Sequence, residues 1–274
     1  MRKLAATLAA AALCACGTSS NNGTSTGSAN GTGGTTGAAT TGGTGGGSSG
    51  GSTGASGGTP ITGLNPMQWT WVPIDGAICR DGSATGIGVN LNPNSNKLMI
   101  FLEGGGACFN IVTCADNDST VPFGASEFQT NFGPGALEAS AGVFNRSDPA
   151  NPMADWSFVY VPYCTGDIHG GNAPDGGTSD GVGPEAFVGY HNMTLDLARL
   201  VPTFTSLNEV LLTGVSAGGF GALLNYDQVA AAFSGVPVEL LDDSGPPMST
   251  DYLAPCLQQE VTQDWNLGAT VVAD

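Results

Sequence analysis

The sequence predicts an α/β fold, a mostly parallel sheet with helices on both of its faces. Three observations lead there. Short apolar runs at Lys97–Leu102, Trp156–Tyr163, Glu209–Thr213 and Val236–Leu241 have strand length and are rich in branched and aromatic residues. Helical periodicity separates the later ones, as expected where strands and helices alternate around one sheet. Residues 61–274 are also numerous enough to bury one sizeable core.

The elements follow in order. Lys97–Leu102 runs into Gly104, Gly105 and Gly106, the stop expected of a buried strand. The stretch between it and Trp156 is rich in Gly, Asn and Ser without clear period, and is expected to form loops over the sheet. From Asn192 to about Phe204, Met193, Leu197, Leu200 and Val201 recur at helical spacing. Glu209–Thr213 leads directly into a Gly-rich turn at Ser216. From Gly218 to Phe233 a helix is expected to pack on the sheet through Phe220, Leu223, Leu224, Tyr226, Val229 and Ala232. Val236–Leu241 ends in Asp242-Asp243-Ser244-Gly245. Ligand crevices in such sheets lie at the carboxyl ends of the strands.

What precedes residue 61 has a different character. Residues 1–15 open with Arg2 and Lys3, continue as an Ala/Leu run and end in small residues, the form of a secretory signal. The apolar part is too short to span a bilayer. Leu13-Cys14-Ala15-Cys16-Gly17 resembles a bacterial lipobox, so Cys16 is expected to carry a lipid anchor to the cell envelope; ordinary cleavage would instead release a secreted protein. Residues 16–60 are almost entirely Gly, Thr, Ser, Ala and Asn and contain no charge. Such a segment buries too little apolar surface to offset ordering and is expected to be a flexible tether, spanning about 35 Å.

Charge narrows the partners. Within residues 61–274 only Arg80, Lys97, Arg146 and Arg199 oppose all 23 acidic residues of the chain. That field disfavours nucleic acid, anionic membrane and strongly polyanionic substrates. Any membrane attachment should run through the Cys16 lipid alone. The exported setting predicts oxidised cysteines. Cys108 and Cys114 are close enough for a local bridge, and Cys79 with Cys164 is the next pairing, though sequence does not determine connectivity. The odd count leaves the partner of Cys256 unassigned. No Cys-x-x-Cys or clustered His points to zinc, and no cofactor fingerprint or phosphate loop is present.

The chemistry centres on Gly214-Val215-Ser216-Ala217-Gly218. Gly-x-Ser-x-Gly is a weak pattern in a chain with 44 glycines, but here it lies between a strand and a helix, where a nucleophile elbow must be. A sharp strand-to-helix turn leaves no room for side chains beside the Ser, and the following helix offers N–H groups to developing negative charge. Leu102-Glu103-Gly104-Gly105-Gly106-Ala107-Cys108 supplies a loop for further donors. Ala217 and either Gly105 or Gly106 are the candidate oxyanion donors.

These motifs, with Val161-Pro162-Tyr163-Cys164-Thr165-Gly166-Asp167 and Asp243-Ser244-Gly245, resemble the pectin acetylesterase/Notum family in order and spacing across roughly Trp69 to Cys256. The resemblance implies an exported carboxylesterase with an α/β-hydrolase fold and a Ser-Asp-His triad. Ser216 then corresponds to the nucleophile and Gly105, Gly106 and Ala217 to the oxyanion donors, with an acylated glycan or another ester as substrate. Many members carry Trp where this chain has Gly106-Ala107. The triad is incomplete, because His169 and His191 both precede Ser216. The expectation is therefore a C-terminally truncated copy lacking the last strands. An active enzyme, a binding protein with a dead site and an esterase for longer acyl chains all stay open. His169, after the second strand, is expected on the rim of the site as a substrate contact. His191 is expected to pack or cap a helix, Asp243 to support the site as an acid, and Asp116 and Asp167 to be solvated.

Overall fold

The computed structural model describes residues 58–115, 117, 119–176, 185–249 and 251–270. The expected signal segment 1–15, Cys16, most of the expected tether and Asp116 lie outside the described residues.

Six strands form one mixed sheet in the order β1-β2-β4-β3-β5-β6. They are β1 (Trp69–Ile78), β2 (Ala84–Asn90), β3 (Lys97–Leu102), β4 (Ser157–Val161), β5 (Glu209–Val215) and β6 (Val238–Asp243). Strands β4, β3, β5 and β6 are mutually parallel, and β2 runs antiparallel to both β1 and β4. The α/β expectation holds, and β3 has the limits read from its apolar run. The hairpin of β1 and β2 was not foreseen; Pro73, Asp75 and Gly76 interrupt the periodicity of β1.

Alternation along the strands separates two cores. Leu98, Ile100 and Leu102 face one side, where they meet Met193, Leu197 and Leu200 of α3 (Gly189–Thr203) and Ala222 and Val229 of α4 (Ala217–Ala232). Met99, Phe158, Tyr160 and Leu211 face the other, against Phe128 and Phe132 of α2 (Ala125–Phe132) with Phe123 and Phe144. The period of two in a strand makes this division automatic. Helix α2 lies in the stretch expected to be loop, as does α1 (Ile111–Ala115), and both are short. Phe128 and Phe132, four apart, give α2 the stripe that docks it; the Phe132 ring lies tilted 4.5 Å from both Trp69 and Tyr160 between ring centroids.

Two further expectations need correction. Helix α4 packs on the core through Val229, with Tyr226 and Ala232 partly buried against it, but its other buried positions are Ala217, Gly218, Gly219, Gly221, Ala222 and Asn225, and Leu223 is exposed. In its first turns the helix approaches the sheet so closely that only small side chains fit between. Helix α3 starts at Gly189, which places His191 within its first turn and exposed, neither packed nor capping. Both candidate disulfides form, Cys79–Cys164 and Cys108–Cys114.

Candidate active site

Register brings the candidate residues together. Leu102 of β3 lies opposite Val161 of β4 and Gly214 of β5, and Val215 opposite Asp243 of β6. Four strands therefore end at one level, and the segments following them meet there.

Ser216 caps α4 with φ 57° and ψ −117°, outside the regions a side-chain-bearing residue normally occupies. Its N–H donates to the Asp243 carbonyl at 2.9 Å, and its carbonyl accepts from Gly219 and Phe220 at 2.9 and 3.2 Å. Close approach explains the flanking glycines. A Cβ on Gly214 would collide with the Gly218 carbonyl, and one on Gly218 with the carbonyl of Leu102. Ser216 itself is exposed and Ala217 buried. Among the described residues the Ser216 hydroxyl has no hydrogen-bond partner.

The glycine loop after β3 sits beside this turn. A Cβ on Gly104 would collide with the Val215 carbonyl and stand 3.1 Å from Ser216 Cβ. A Cβ on Gly105 would stand 2.8 Å from the Tyr163 ring. Gly106 has φ +82°, a conformation that favours glycine, and the direction of its missing side chain faces Asn117 Nδ2 at 3.5 Å. Of the three glycines it is Gly104 that touches the Ser216 turn, while Gly105 faces Tyr163 and Ser119, and Gly106 faces Asn117.

His169 is elsewhere. It is 3 % exposed, beneath the glycine loop, with Nε2 2.9 Å from the Glu103 carbonyl oxygen. A carbonyl only accepts, so Nε2 carries the proton. Burial pulls the imidazole down to about 4, which keeps it neutral, although the Glu103 carbonyl favours the charged form. The expectation of a substrate contact on the rim is overturned: packing against Tyr163, with ring centroids 4.8 Å apart, and against Gly221 shuts the ring away.

Asp167 is also not solvated. It is fully buried and accepts from Thr165 Oγ1 at 2.6 Å and from the N–H groups of His169, Gly171 and Gly189 at 3.1, 3.1 and 2.7 Å. Burial pushes its carboxyl above the usual aspartate range against the pull of those donors. The turn it organises places Ile168 and His169 at φ 50° and 57°. Asn225 of α4 completes the anchorage, donating to the His169 carbonyl at 2.8 Å.

Asp243 lies at the end of β6 with its side chain exposed, accepting from Ser244 Oγ at 2.8 Å, while its main-chain carbonyl holds Ser216. It supports the turn through the backbone.

Two participants escaped the sequence reading. Glu103 accepts the Tyr163 N–H at 2.8 Å and is hydrogen-bonded to the Tyr160 hydroxyl; burial pushes its carboxyl up to about 6, and these partners oppose the rise. The Tyr163 hydroxyl donates to the Gly106 carbonyl at 2.8 Å and accepts from the Ile168 N–H at 2.9 Å. An acid between an apolar strand and a glycine run was the available signal for Glu103. Nothing local distinguishes Tyr163 from a core tyrosine.

Residues 66–254 match the family model described as Pectinacetylesterase. The chain belongs to the pectinacetylesterase family. Among curated members it is 34% identical over 176 residues to palmitoleoyl-protein carboxylesterase notum2 of Xenopus laevis, covering 61% of this chain and 34% of that protein. The human palmitoleoyl-protein carboxylesterase NOTUM is 29% identical over 176 residues, again 61% of this chain and 34% of the relative. This pectinacetylesterase-family chain thus spans about a third of the length of these relatives. The Wnt deacylase Notum of Drosophila superposes with a TM-score of 0.53 at 22% identity, over 76% of this chain and 62% of that one. That likeness concerns the fold, which is α/β-hydrolase-like.

Proposed function

We propose that this pectinacetylesterase-family chain carries the nucleophile of a serine carboxylesterase site, which removes acetyl or other acyl groups from an extracellular carbohydrate through an acyl-Ser216 intermediate. The observation that carries the reading is Ser216 itself, an exposed hydroxyl at φ 57° between β5 and α4, beside a loop of three glycines. Its Oγ would attack the ester carbonyl carbon and lose its proton to a base. The carbonyl oxygen would take the negative charge, facing the N–H of Ala217 and those of Gly105 or Gly106. Collapse would break the bond to the alkoxy oxygen, which leaves as the alcohol after accepting a proton. Water would then release the carboxylic acid and regenerate Ser216.

Neither histidine of the chain fits the base: His169 is buried with Nε2–H committed to Glu103, and His191 is exposed on α3 without a hydrogen bond to Ser216. That the Ser216 hydroxyl has no hydrogen-bond partner among the described residues favours a second reading, a site that binds esters without turning them over. Acyl length is also open within the first reading. The curated relatives are palmitoleoyl-protein carboxylesterases, and Ile111 and Val112 of α1, shortly after the glycine loop, are 59% and 64% exposed. The disulfides Cys79–Cys164 and Cys108–Cys114 fit export, and a lipid on Cys16 would hold the protein at the envelope.

Labelling of the full chain by a fluorophosphonate, compared with Ser216→Ala, tests the nucleophile. Labelling confined to the wild type is expected; labelling that survives Ser216→Ala refutes it, and an unlabelled wild type supports the binding reading. Hydrolysis of a series from acetyl to palmitoleoyl esters, with acetylated glycans alongside, sets the acyl length.

A further inference from the structure

The turn after β4 lies under the glycine loop, and two of its side chains there hydrogen-bond to main-chain oxygens. His169 Nε2–H meets the carbonyl of Glu103, and the Tyr163 hydroxyl meets the carbonyl of Gly106. We infer that Tyr163 and His169 are positioning residues which hold these two carbonyls away from Ser216, so that the loop presents N–H groups there. The inference rests on the esterase reading above.

The need for such a device follows from the loop's composition. A site for an oxyanion must offer N–H groups and no carbonyl to the developing charge. Three consecutive glycines bring no side chains to select one peptide orientation, and glycine accepts backbone conformations of either sign. In a trans peptide the C=O and N–H point in opposite directions. Fixing the carbonyl of Glu103 therefore fixes the N–H of Gly104, and fixing that of Gly106 fixes the N–H of Ala107. The two peptides between them are framed at both ends.

Both donors are themselves immobilised. The Tyr163 hydroxyl accepts from the Ile168 N–H, which commits its own proton to Gly106. Its ring supports Gly105, and its N–H is held by Glu103. His169 is secured through its N–H by Asp167 and through its carbonyl by Asn225, and its neutral ring has the Nε2–H tautomer that a carbonyl requires. Asp167, Asn225 and α4 thus form a rigid platform, and Tyr163 and His169 are the parts that reach the loop.

Tyr163→Phe and His169→Gln in the full chain test the assignment, the first removing only a hydroxyl and the second keeping an N–H donor on a longer, less constrained side chain. Two quantities are read: steady-state hydrolysis of p-nitrophenyl acetate, and amide hydrogen exchange at Gly104 to Ala107. For Tyr163→Phe, kcat should fall 10- to 100-fold with KM within threefold, and exchange in the loop should quicken at least tenfold while β3 and β5 stay protected. His169→Gln should fall between Tyr163→Phe and the wild type. An effect on KM alone, or folded variants with unchanged kcat and exchange, overturns the assignment. Should one variant not fold, the other decides. A wild type that neither hydrolyses the ester nor reacts with a fluorophosphonate overturns the esterase reading and, with it, the role, even if exchange shows the clamp. An active wild type with indifferent variants overturns the clamp alone.

Discussion

The segments after β4 and after β6 flank the region of Ser216, and the two are built differently. On the β4 side, Tyr163, Cys164, Thr165, Asp167 and His169 are all buried, and their side chains are tied by hydrogen bonds or, for Cys164, by a disulfide. On the β6 side, Glu239, Leu240, Leu241 and Asp243 are exposed, and the contact to Ser216 is one main-chain hydrogen bond. Geometry beside the nucleophile therefore comes from side chains on one flank and from backbone on the other. Substitutions should register accordingly.

The largest expected effect is on the β4 side. Cys79–Cys164 closes a loop with a sequence separation of 85, so Cys79→Ala with Cys164→Ala should cost roughly 4–5 kcal/mol, measured by urea unfolding. Asp167→Ala removes the acceptor of four buried donors and should cost about 3 kcal/mol.

Asp196, in the layer of α3 beneath the same flank, should change stability in the opposite sense. It is 2 % exposed, and burial alone pushes its carboxyl up to about 8. The unfolded chain releases this proton near pH 4 while the folded chain retains it, so stability falls as pH rises from about 4 to about 8. Asp196→Asn should remove that slope, raising stability by a few kcal/mol at pH 8 and by almost nothing near pH 4. A variant with the wild-type slope in thermal melts across that range would contradict this account.

On the β6 side, Asp243→Asn should change stability by no more than about 0.5 kcal/mol, because among the described residues the exposed carboxylate hydrogen-bonds only with Ser244, and the hydrogen bond to Ser216 comes from the main chain. A cost equal to that of Asp167→Ala would erase the distinction between the flanks.

The same contrast marks what was legible in the sequence. β3 could be read to the residue because it is apolar on both faces and followed by a run of glycines. The elbow was readable because chain direction and close approach leave glycine no substitute at Gly214 and Gly218. His169 and Asp167 were misplaced because position after a strand says nothing of which way a loop turns; Gly189 donates to Asp167 from 22 residues away. The first turns of the buried face of α4 escaped the reading for a related reason. Large residues are the normal mark of a core face, but here the helix lies too near β3 for them, and a Cβ on Gly221 would stand 2.8 Å from His169 Cβ.

The glycines of the described residues are not one population. At Gly268 nothing lies within 4 Å of an added Cβ and φ is not positive, whereas at Gly214 and Gly218 the added carbon would overlap main-chain carbonyl atoms. In a saturation library, Gly268→Ala should pass and gain about 0.4–1 kcal/mol by restricting the unfolded chain, while alanine at either elbow position should be purged. Abundant glycine thus hides a narrow set of positions where inheritance has no alternative letter. Divergence of this chain is free to run through its loops but has to step around the turn that bears Ser216.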